Sequence, residues 1–204
     1  MAGAMALVIT MAVTDDGARA GPGDKARPEA QIQKTPDSEE IAEQQKEVLT
    51  SLFERLEKEE DADAAKTLEE AIMKLWLRSG SPTVDILMEQ AVEAANEKET
   101  DTAIELLDAV VELAPEFAEG WNKRATVYYM RDEYTRSMID IQRVLSLEPR
   151  HFGALSGLGM IMREFGEDKA ALAAFREALK HHPHLEGALK AVKELSVSVE
   201  GRGI

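Results

Sequence analysis

Residues 155–183, LSGLGMIMREFGEDKAALAAFREALKHHP, contain two amphipathic segments of helical spacing. Small residues such as Gly159 and Ala171 recur among large ones such as Phe175. Small side chains let two helix backbones approach closely, and the large side chains fill the space opposite them. The second segment ends near Pro183, where the ring and the missing N–H stop a helix. The stretch therefore predicts two closely packed antiparallel helices.

The same pattern occurs three times along the chain. Pro115, Pro149 and Pro183 are spaced 34 residues apart, and each follows an amphipathic apolar run. Large apolar residues keep the same spacing at Leu87, Trp121 and Leu155. A fixed period of this length is the signature of a helical repeat protein, in which stacked helix pairs bury a continuous core.

The offsets resemble the tetratricopeptide repeat, whose pattern is W-x₂-L-G-x₂-Y, then A-x₃-F and a final proline. The resemblance covers about residues 83–183 and is clearest in the third unit, at Leu155, Leu158, Gly159, Met162, Ala171, Phe175, Ala178 and Pro183. It implies an all-α fold, a short right-handed α-solenoid of about three antiparallel helix pairs with an N-terminal helical hairpin and a C-terminal capping helix. The other units depart from the pattern: in the second, Arg124 replaces a leucine and Ser137 an alanine, and the first lacks the tryptophan and the glycine.

The segments that flank the repeats have assignments of their own. Residues 38–80 are predicted to form a helical hairpin, either a degenerate repeat or a cap on the exposed face of the first unit. The repeats and their capping helix are assigned to residues 83–197, and residues 198–204 to a frayed tail. Solenoids need such terminal caps because each end otherwise exposes an apolar helix face.

The N-terminus carries a targeting pattern. Met1–Val13 is an uncharged, mostly apolar run that precedes the small-residue triplet 18–20, as in a secretory signal peptide. We therefore expect residues 1–20 to be an export signal and residues 21–37 to be a flexible linker. The protein is expected to be periplasmic or otherwise exported, like small bacterial members of the family it resembles. Because no basic residue precedes the run, a disordered tail of a cytoplasmic protein and a lipid-associated anchor stay open. No other segment approaches the length of a membrane span.

Composition narrows the range of partners. The chain has 39 acidic and 24 basic residues and a formal charge of −15, which disfavours nucleic acid and anionic lipid as main partners. It has no cysteine, so disulfides, thiolate metal sites and thiol nucleophiles are excluded. Nine carboxylates lie between Asp85 and Glu112, against the single basic residue Lys98. This segment is either a solvated helix face or a surface that attracts a basic partner.

In the tetratricopeptide repeat family, the first helices of the units line a groove that binds an extended or helical peptide. The resemblance therefore implies a non-enzymatic scaffold that binds a peptide or protein there. Lys123 and Arg163, with Asn122, would hold a carboxylate of the partner, while Tyr129 and Met160 would pack on its apolar side chains. The seven principal groove candidates, all in the second and third units, are Asn122, Lys123, Thr126, Tyr129, Ser156, Met160 and Arg163. In the first unit, the candidates include Met88, Val92 and Asn96.

Two other functions remain open at this point. The hairpin or the capping helix could pack on a second copy of the chain, which would make it a self-associating structural solenoid. The cluster His181-His182-Pro183-His184, with His151, could mark a small metal-binding protein, although a helix-ending proline would splay these rings. No nucleotide-binding, hydrolase or calcium-loop motif is present, and no cofactor is expected.

Overall fold

The computed structural model describes residues 38–201, with side chains from residue 43 onward. Within this range the chain is all-α, which confirms the predicted fold class. The helices are α1 (Ser38–Leu56), α2 (Ala62–Trp76), α3 (Pro82–Asn96), α4 (Thr100–Leu113), α5 (Ala118–Met130), α6 (Tyr134–Leu147), α7 (Phe152–Glu164), α8 (Asp168–His181) and α9 (Glu186–Val199). None of the described helices is long and apolar enough to cross a bilayer. The assigned signal (1–20) and linker (21–37) lie outside the described residues.

Three antiparallel pairs, α3/α4, α5/α6 and α7/α8, form the predicted repeats, and α9 packs on α8. The last helix continues to Val199, two residues beyond the expected end of the capping helix. Its final turn is held by Arg176 of α8, whose Nη1 donates to Oε1 of Glu200 at 2.7 Å. Ser198 also contacts Asp168, at 3.3 Å. Residues 198 and 199 of the predicted tail thus belong to α9, and residues 202–204 lie outside the described residues.

The turn inside each repeat has the same backbone conformation. Lys98, Asp132 and Gly166 follow the first helix of units one to three, and all have positive φ, at 65°, 58° and 74°. The next residue in each unit donates its N–H to a carbonyl five residues back, at 2.9 Å in all three turns. This left-handed helix ending satisfies carbonyls at the helix end and favours glycine. The 34-residue period is therefore also present in the backbone.

The two departures of the second unit from the family pattern are accommodated by polar contacts. Ser137 is buried, and its hydroxyl donates to the carbonyl of Ala125 at 2.7 Å. Arg124 donates from Nε and Nη2 to the two carboxylate oxygens of Asp140, both at 2.8 Å, and from Nη1 to Asp108 at 2.7 Å. Each polar replacement thus has a partner within the helix pair.

The N-terminal hairpin does not pack where the sequence suggested. Its buried residues, including Phe53 and Trp76, contact Phe152 and Leu155 of α7 and Ala178 of α8, in the third unit. The expected cover on the first unit is therefore wrong. On α3, exposed residues include Ile86, Glu89 and Glu93. Burying those carboxylates would cost desolvation energy, whereas the aromatic surface of the third unit offers apolar area to the hairpin.

Candidate functional site

A pocket of about 170 Å³ lies between α5 and α7, the first helices of the second and third units. Residues one helical turn apart point to the same side of a helix, so each helix contributes a row of side chains to its wall. Gly153 and Gly157 leave space between the helices. The other lining residues are Asn122, Ala125, Thr126, Tyr129, Ser137, Ile141, Ala154, Ser156 and Met160. Five of the seven groove candidates, Asn122, Thr126, Tyr129, Ser156 and Met160, therefore share one pocket.

A second pocket, of about 190 Å³, lies between α3 and α5. Its lining is mostly apolar and consists of Ala91, Val92, Ala95, Asn96, Leu107, Lys123, Thr126, Val127 and Met130. Thr126 belongs to both pockets, so they adjoin on one surface. We call the surface that contains both pockets the groove face. Met88 was another candidate of the first unit, but it is only 4% exposed and belongs to the core.

The two cationic candidates do not meet. Lys123 lines the pocket between α3 and α5, while Arg163 lines neither pocket. Each is paired with a carboxylate of this chain: Lys123 Nζ lies 2.8 Å from Glu119, and Arg163 Nη1 lies 3.5 Å from Glu194 of α9. The structure thus gives Lys123 and Arg163 no pocket in common, and their joint binding of a partner's carboxylate stays a prediction. Position along a helix predicted the face of each side chain, but not its ion-pair partner.

Glu119, which the sequence did not single out, organises this region. It lies in the first turn of α5 and is 1% exposed. Its Oε2 accepts hydrogen bonds from Nδ2 of Asn122 and Nε2 of His151, both at 3.0 Å. Lys123 Nζ approaches Oε1 as an ion pair without hydrogen-bond geometry. Burial alone raises the pKa of Glu119, but the His151 hydrogen bond and the charge of Lys123 outweigh it and lower the pKa below its usual value.

Tyr129 closes one end of the pocket between α5 and α7. Its ring packs against Tyr134 of α6, with centroids 5.5 Å apart, and its hydroxyl lies 3.4 Å from Oε1 of Glu164. Burial and the nearby Glu164 carboxylate raise the pKa of Tyr129. The phenol therefore stays protonated and can donate a hydrogen bond at the edge of the pocket.

The histidines contact the hairpin and Glu119 in place of a shared metal site. His181 Nδ1 lies 2.9 Å from Glu57, His182 Nε2 lies 3.1 Å from Glu69, and His184 Nε2 lies 2.9 Å from the carbonyl of Glu59. Among the described residues, no group of three or more histidines and acidic residues has a geometry that could hold a metal ion. These three histidines join the repeats to the hairpin.

A larger and more open groove, of about 720 Å³, separates the hairpin from the turns that join the repeats. It is lined by one face of α1, the end of α2 and the turns 116–119 and 147–150. Several charges at its wall are paired: Arg150 binds both oxygens of Glu148, and Arg143 binds Glu116 at 2.8 Å. Trp76 and Glu119 form part of its wall.

Comparisons with known proteins agree with the repeat architecture. The family model described as "Tetratricopeptide repeat protein 21 ARM repeat" matches residues 8–140. A TPR repeat-containing protein of Rhizobium etli is 39% identical over 156 residues, which is 76% of either chain.

Two solved structures share the fold. The Sgt2 TPR domain from Aspergillus fumigatus has a TM-score of 0.56 at 20% identity, over 59% of this chain and 81% of that one. The first TPR domain of Spaghetti (RPAP3), bound to the HSP90 peptide SRMEEVD, has a TM-score of 0.55 at 16% identity, over 57% of this chain and 93% of that one. At these identities the likeness concerns the fold alone. From the 34-residue period, the helix pairs, the family model and the bacterial relative together, we conclude that the chain belongs to the tetratricopeptide repeat family.

Proposed function

We propose that this protein is a non-enzymatic scaffold that binds a peptide segment of another protein on its groove face. The observation that carries the proposal is the pair of adjoining pockets between α3, α5 and α7, which share Thr126. Binding sites are typically concave, mostly apolar and lined by a few polar groups, as these pockets are. Membership of the family and the peptide-bound Spaghetti domain support the same role.

The chemistry of the groove face favours a peptide with two apolar anchors over a carboxylate terminus. Lys123 and Arg163 are each paired with a carboxylate of this chain, Glu119 and Glu194, which reduces their attraction for the carboxylate of a partner. The pockets are each large enough for one apolar side chain. Packed helices lie about 8–10 Å apart, and the pockets occupy successive interhelical spaces. Two anchors about 10 Å apart fit this spacing, as residues i and i+7 of a helical ligand do.

The decisive experiment obstructs both pockets by a substitution at Thr126, the residue that lines both of them. Random peptides displayed on phage are selected on the full-length protein, and the affinity of the selected peptides is measured by fluorescence anisotropy. Thr126→Arg places a long charged side chain between the pockets, and we expect it to weaken binding by a factor of about ten or more, because it removes apolar burial worth over 1.4 kcal/mol.

The matched control is Thr102→Arg, which makes the same change at an exposed position of α4. We expect this variant to bind the selected peptides with unchanged affinity. The acidic peptide SRMEEVD serves as a second probe, and it should bind much more weakly than the selected peptides. If Thr126→Arg binds them as tightly as Thr102→Arg does, the groove face is not the binding surface.

We also propose that the protein is exported, on the basis of the apolar run Met1–Val13 alone. N-terminal sequencing of the protein purified from its native cell, separated into periplasmic and cytoplasmic fractions, tests this. A mature chain that begins near Gly21 in the periplasmic fraction is expected, and an intact N-terminus in the cytoplasmic fraction would contradict it.

A further inference from the structure

The hairpin contacts the repeats beside the groove face through one aromatic stack. The indole of Trp76, at the end of α2, lies parallel to the imidazole of His151, with ring centroids 4.1 Å apart and an interplanar angle of 4°. Trp76 is 8% exposed and His151 is 1% exposed. Because the indole covers one face of the imidazole, the exposure of His151 to water depends on the docking of α2.

The protonation of His151 follows from its position in front of α7. Its Nδ1 accepts a hydrogen bond from the backbone N–H of Ala154 at 3.1 Å and so caps the helix. A ring nitrogen that accepts a hydrogen bond does not carry the proton, so the neutral imidazole is protonated at Nε2. Nε2 therefore donates to Oε2 of Glu119 at 3.0 Å.

Glu119 in turn holds one residue of each pocket. It accepts from Asn122, which lines the pocket between α5 and α7, and it pairs with Lys123, which lines the pocket between α3 and α5. A buried carboxylate without partners is costly. Among the described residues, the side chains of Asn122, Lys123 and His151 supply the contacts that offset this burial.

We infer that docking of the α1–α2 hairpin fixes Asn122 and Lys123, and thereby sets the affinity of the groove face for its peptide. Trp76, His151 and Glu119 act as positioning residues in this relay. When α2 undocks from the repeats, water reaches His151 and competes with Glu119 for the hydrogen bond from its Nε2–H. Water then also solvates Glu119, which no longer requires Asn122 and Lys123 as partners. The inference rests on the proposed function, because it concerns regulation of the same site.

The first measurement needs no peptide. Lysines of the full-length protein are acetylated with a limiting amount of acetic anhydride, and the labelling of Lys123 relative to exposed Lys98 is quantified by mass spectrometry. Trp76→Leu keeps an apolar side chain in the hairpin but removes the stacking ring. His151→Asn keeps a side chain that can cap α7 but removes the stack and the bond to Glu119. Both variants should label Lys123 several-fold to about tenfold faster, since its ion pair is released.

Glu69→Ala is the control, because it removes a different hairpin contact, the carboxylate 3.1 Å from His182 on the α8–α9 turn. It should leave the labelling of Lys123 unchanged. Circular dichroism identifies a variant that fails to fold, and two independent variants of the relay keep the test decisive. If both fold and label Lys123 at the wild-type rate, the relay is wrong, whether or not the groove face binds peptides.

The second measurement uses the phage-selected peptides. Their affinity should fall by about tenfold in Trp76→Leu and His151→Asn and stay unchanged in Glu69→Ala. If the labelling of Lys123 rises while the affinity is unchanged, the hairpin does not regulate binding and the inference is overturned. If no selected peptide binds more weakly to Thr126→Arg than to the wild type, the proposed function is wrong. The inferred effect of the hairpin on peptide affinity is then wrong as well. The labelling result then still decides whether the hairpin positions Lys123.

Discussion

Arg124 and Asp140 form a two-point ion pair across the second repeat, with Nε to Oδ2 and Nη2 to Oδ1 both at 2.8 Å. Asp140 is 2% exposed, and the guanidinium of Arg124 also lies 4.9 Å from the ring centre of Trp121. The hydrogen bonds from Arg124 to Asp140 hold the pKa of the guanidinium above its ordinary value despite its burial. The second repeat thus contains a polar contact where the family pattern has a leucine.

Arg124→Leu restores the residue of the family pattern and should nevertheless destabilise the protein. It leaves the buried carboxylate of Asp140 without its charged partner, which costs about 3–5 kcal/mol. The double variant Arg124→Leu/Asp140→Leu should lose much less, because no buried charge remains. Urea denaturation followed by circular dichroism measures both free energies of unfolding. A single variant as stable as the wild type would show that Asp140 does not need the guanidinium.

Gly159→Ala should destabilise the third repeat. A Cβ at this position would lie 2.8 Å from ring atoms of Phe175, which is 3% exposed and cannot move freely. Overpacking of this kind costs about 1–3 kcal/mol. The control is Gly187→Ala in α9, where an added Cβ meets no atom within 4 Å. Since alanine favours helices over glycine, the control should gain up to about 1 kcal/mol in urea denaturation. Equal effects at the two glycines would contradict the close contact with Phe175.

Lys98→Gly should stabilise the protein by about 0.5–1 kcal/mol, because Lys98 has a φ of 65° at a turn where glycine has no steric cost. The third repeat already has Gly166 at the equivalent place, with a φ of 74°. The reciprocal variant, Gly166→Ala, should lose about 1 kcal/mol. Thermal and urea denaturation measure whether the free energy of unfolding rises in Lys98→Gly and falls in Gly166→Ala. A stabilising effect of Gly166→Ala would mean that this turn has another conformation in solution.

Glu119 should make stability depend on acidic pH. The pKa of its carboxyl is lower in the folded chain than its ordinary value, so Glu119 stabilises the fold above the unfolded pKa of about 4.3. This contribution is lost as the pH falls through the lower pKa of the folded state. The difference in free energy of unfolding between wild type and Glu119→Gln should therefore shrink between pH 6 and pH 3. Glu112→Gln, at an exposed position of α4, matches the change in net charge. A difference that stays constant over this range would show that Glu119 is not held as a buried anion.

Phe53→Ala should release the hairpin from the repeats. Phe53 is 1% exposed, and its ring lies among Trp76, Phe152 and His181, with centroids 5.7, 6.3 and 6.4 Å away. Removal of such a ring costs about 3–5 kcal/mol. Limited proteolysis should then cut within residues 57–61, between α1 and α2, faster than in the wild type. Val48→Ala, on an exposed part of the same helix, should change stability by less than about 0.5 kcal/mol. Wild-type resistance to proteolysis in Phe53→Ala would argue against docking through this ring.

Several features of the site could be predicted because they depend on helical spacing. Asn122, Thr126 and Tyr129 lie one turn apart, as do Ser156 and Met160, so their common face follows from the sequence. Ion pairs do not follow from spacing in the same way. Lys123 is neutralised by a carboxylate four residues earlier, and nothing in the composition around Glu119 indicates that it is buried. Its burial depends on His151, 32 residues further along the chain.

The repeats themselves were predictable from the chain alone, since each helix pair packs through contacts that recur at a short and constant separation. The place of the hairpin was not, because an amphipathic hairpin can bury its apolar face on any surface of matching shape. Here it contacts the third unit, with Glu57 bound to His181 across 124 residues of chain. The docking position depends on the free energy of desolvating the charges of the first unit and on the apolar area that the aromatic residues near Phe152 offer. Both surfaces form only when the repeats have folded. The link from Trp76 to the groove face has the same origin, because it joins three elements that no local pattern connects.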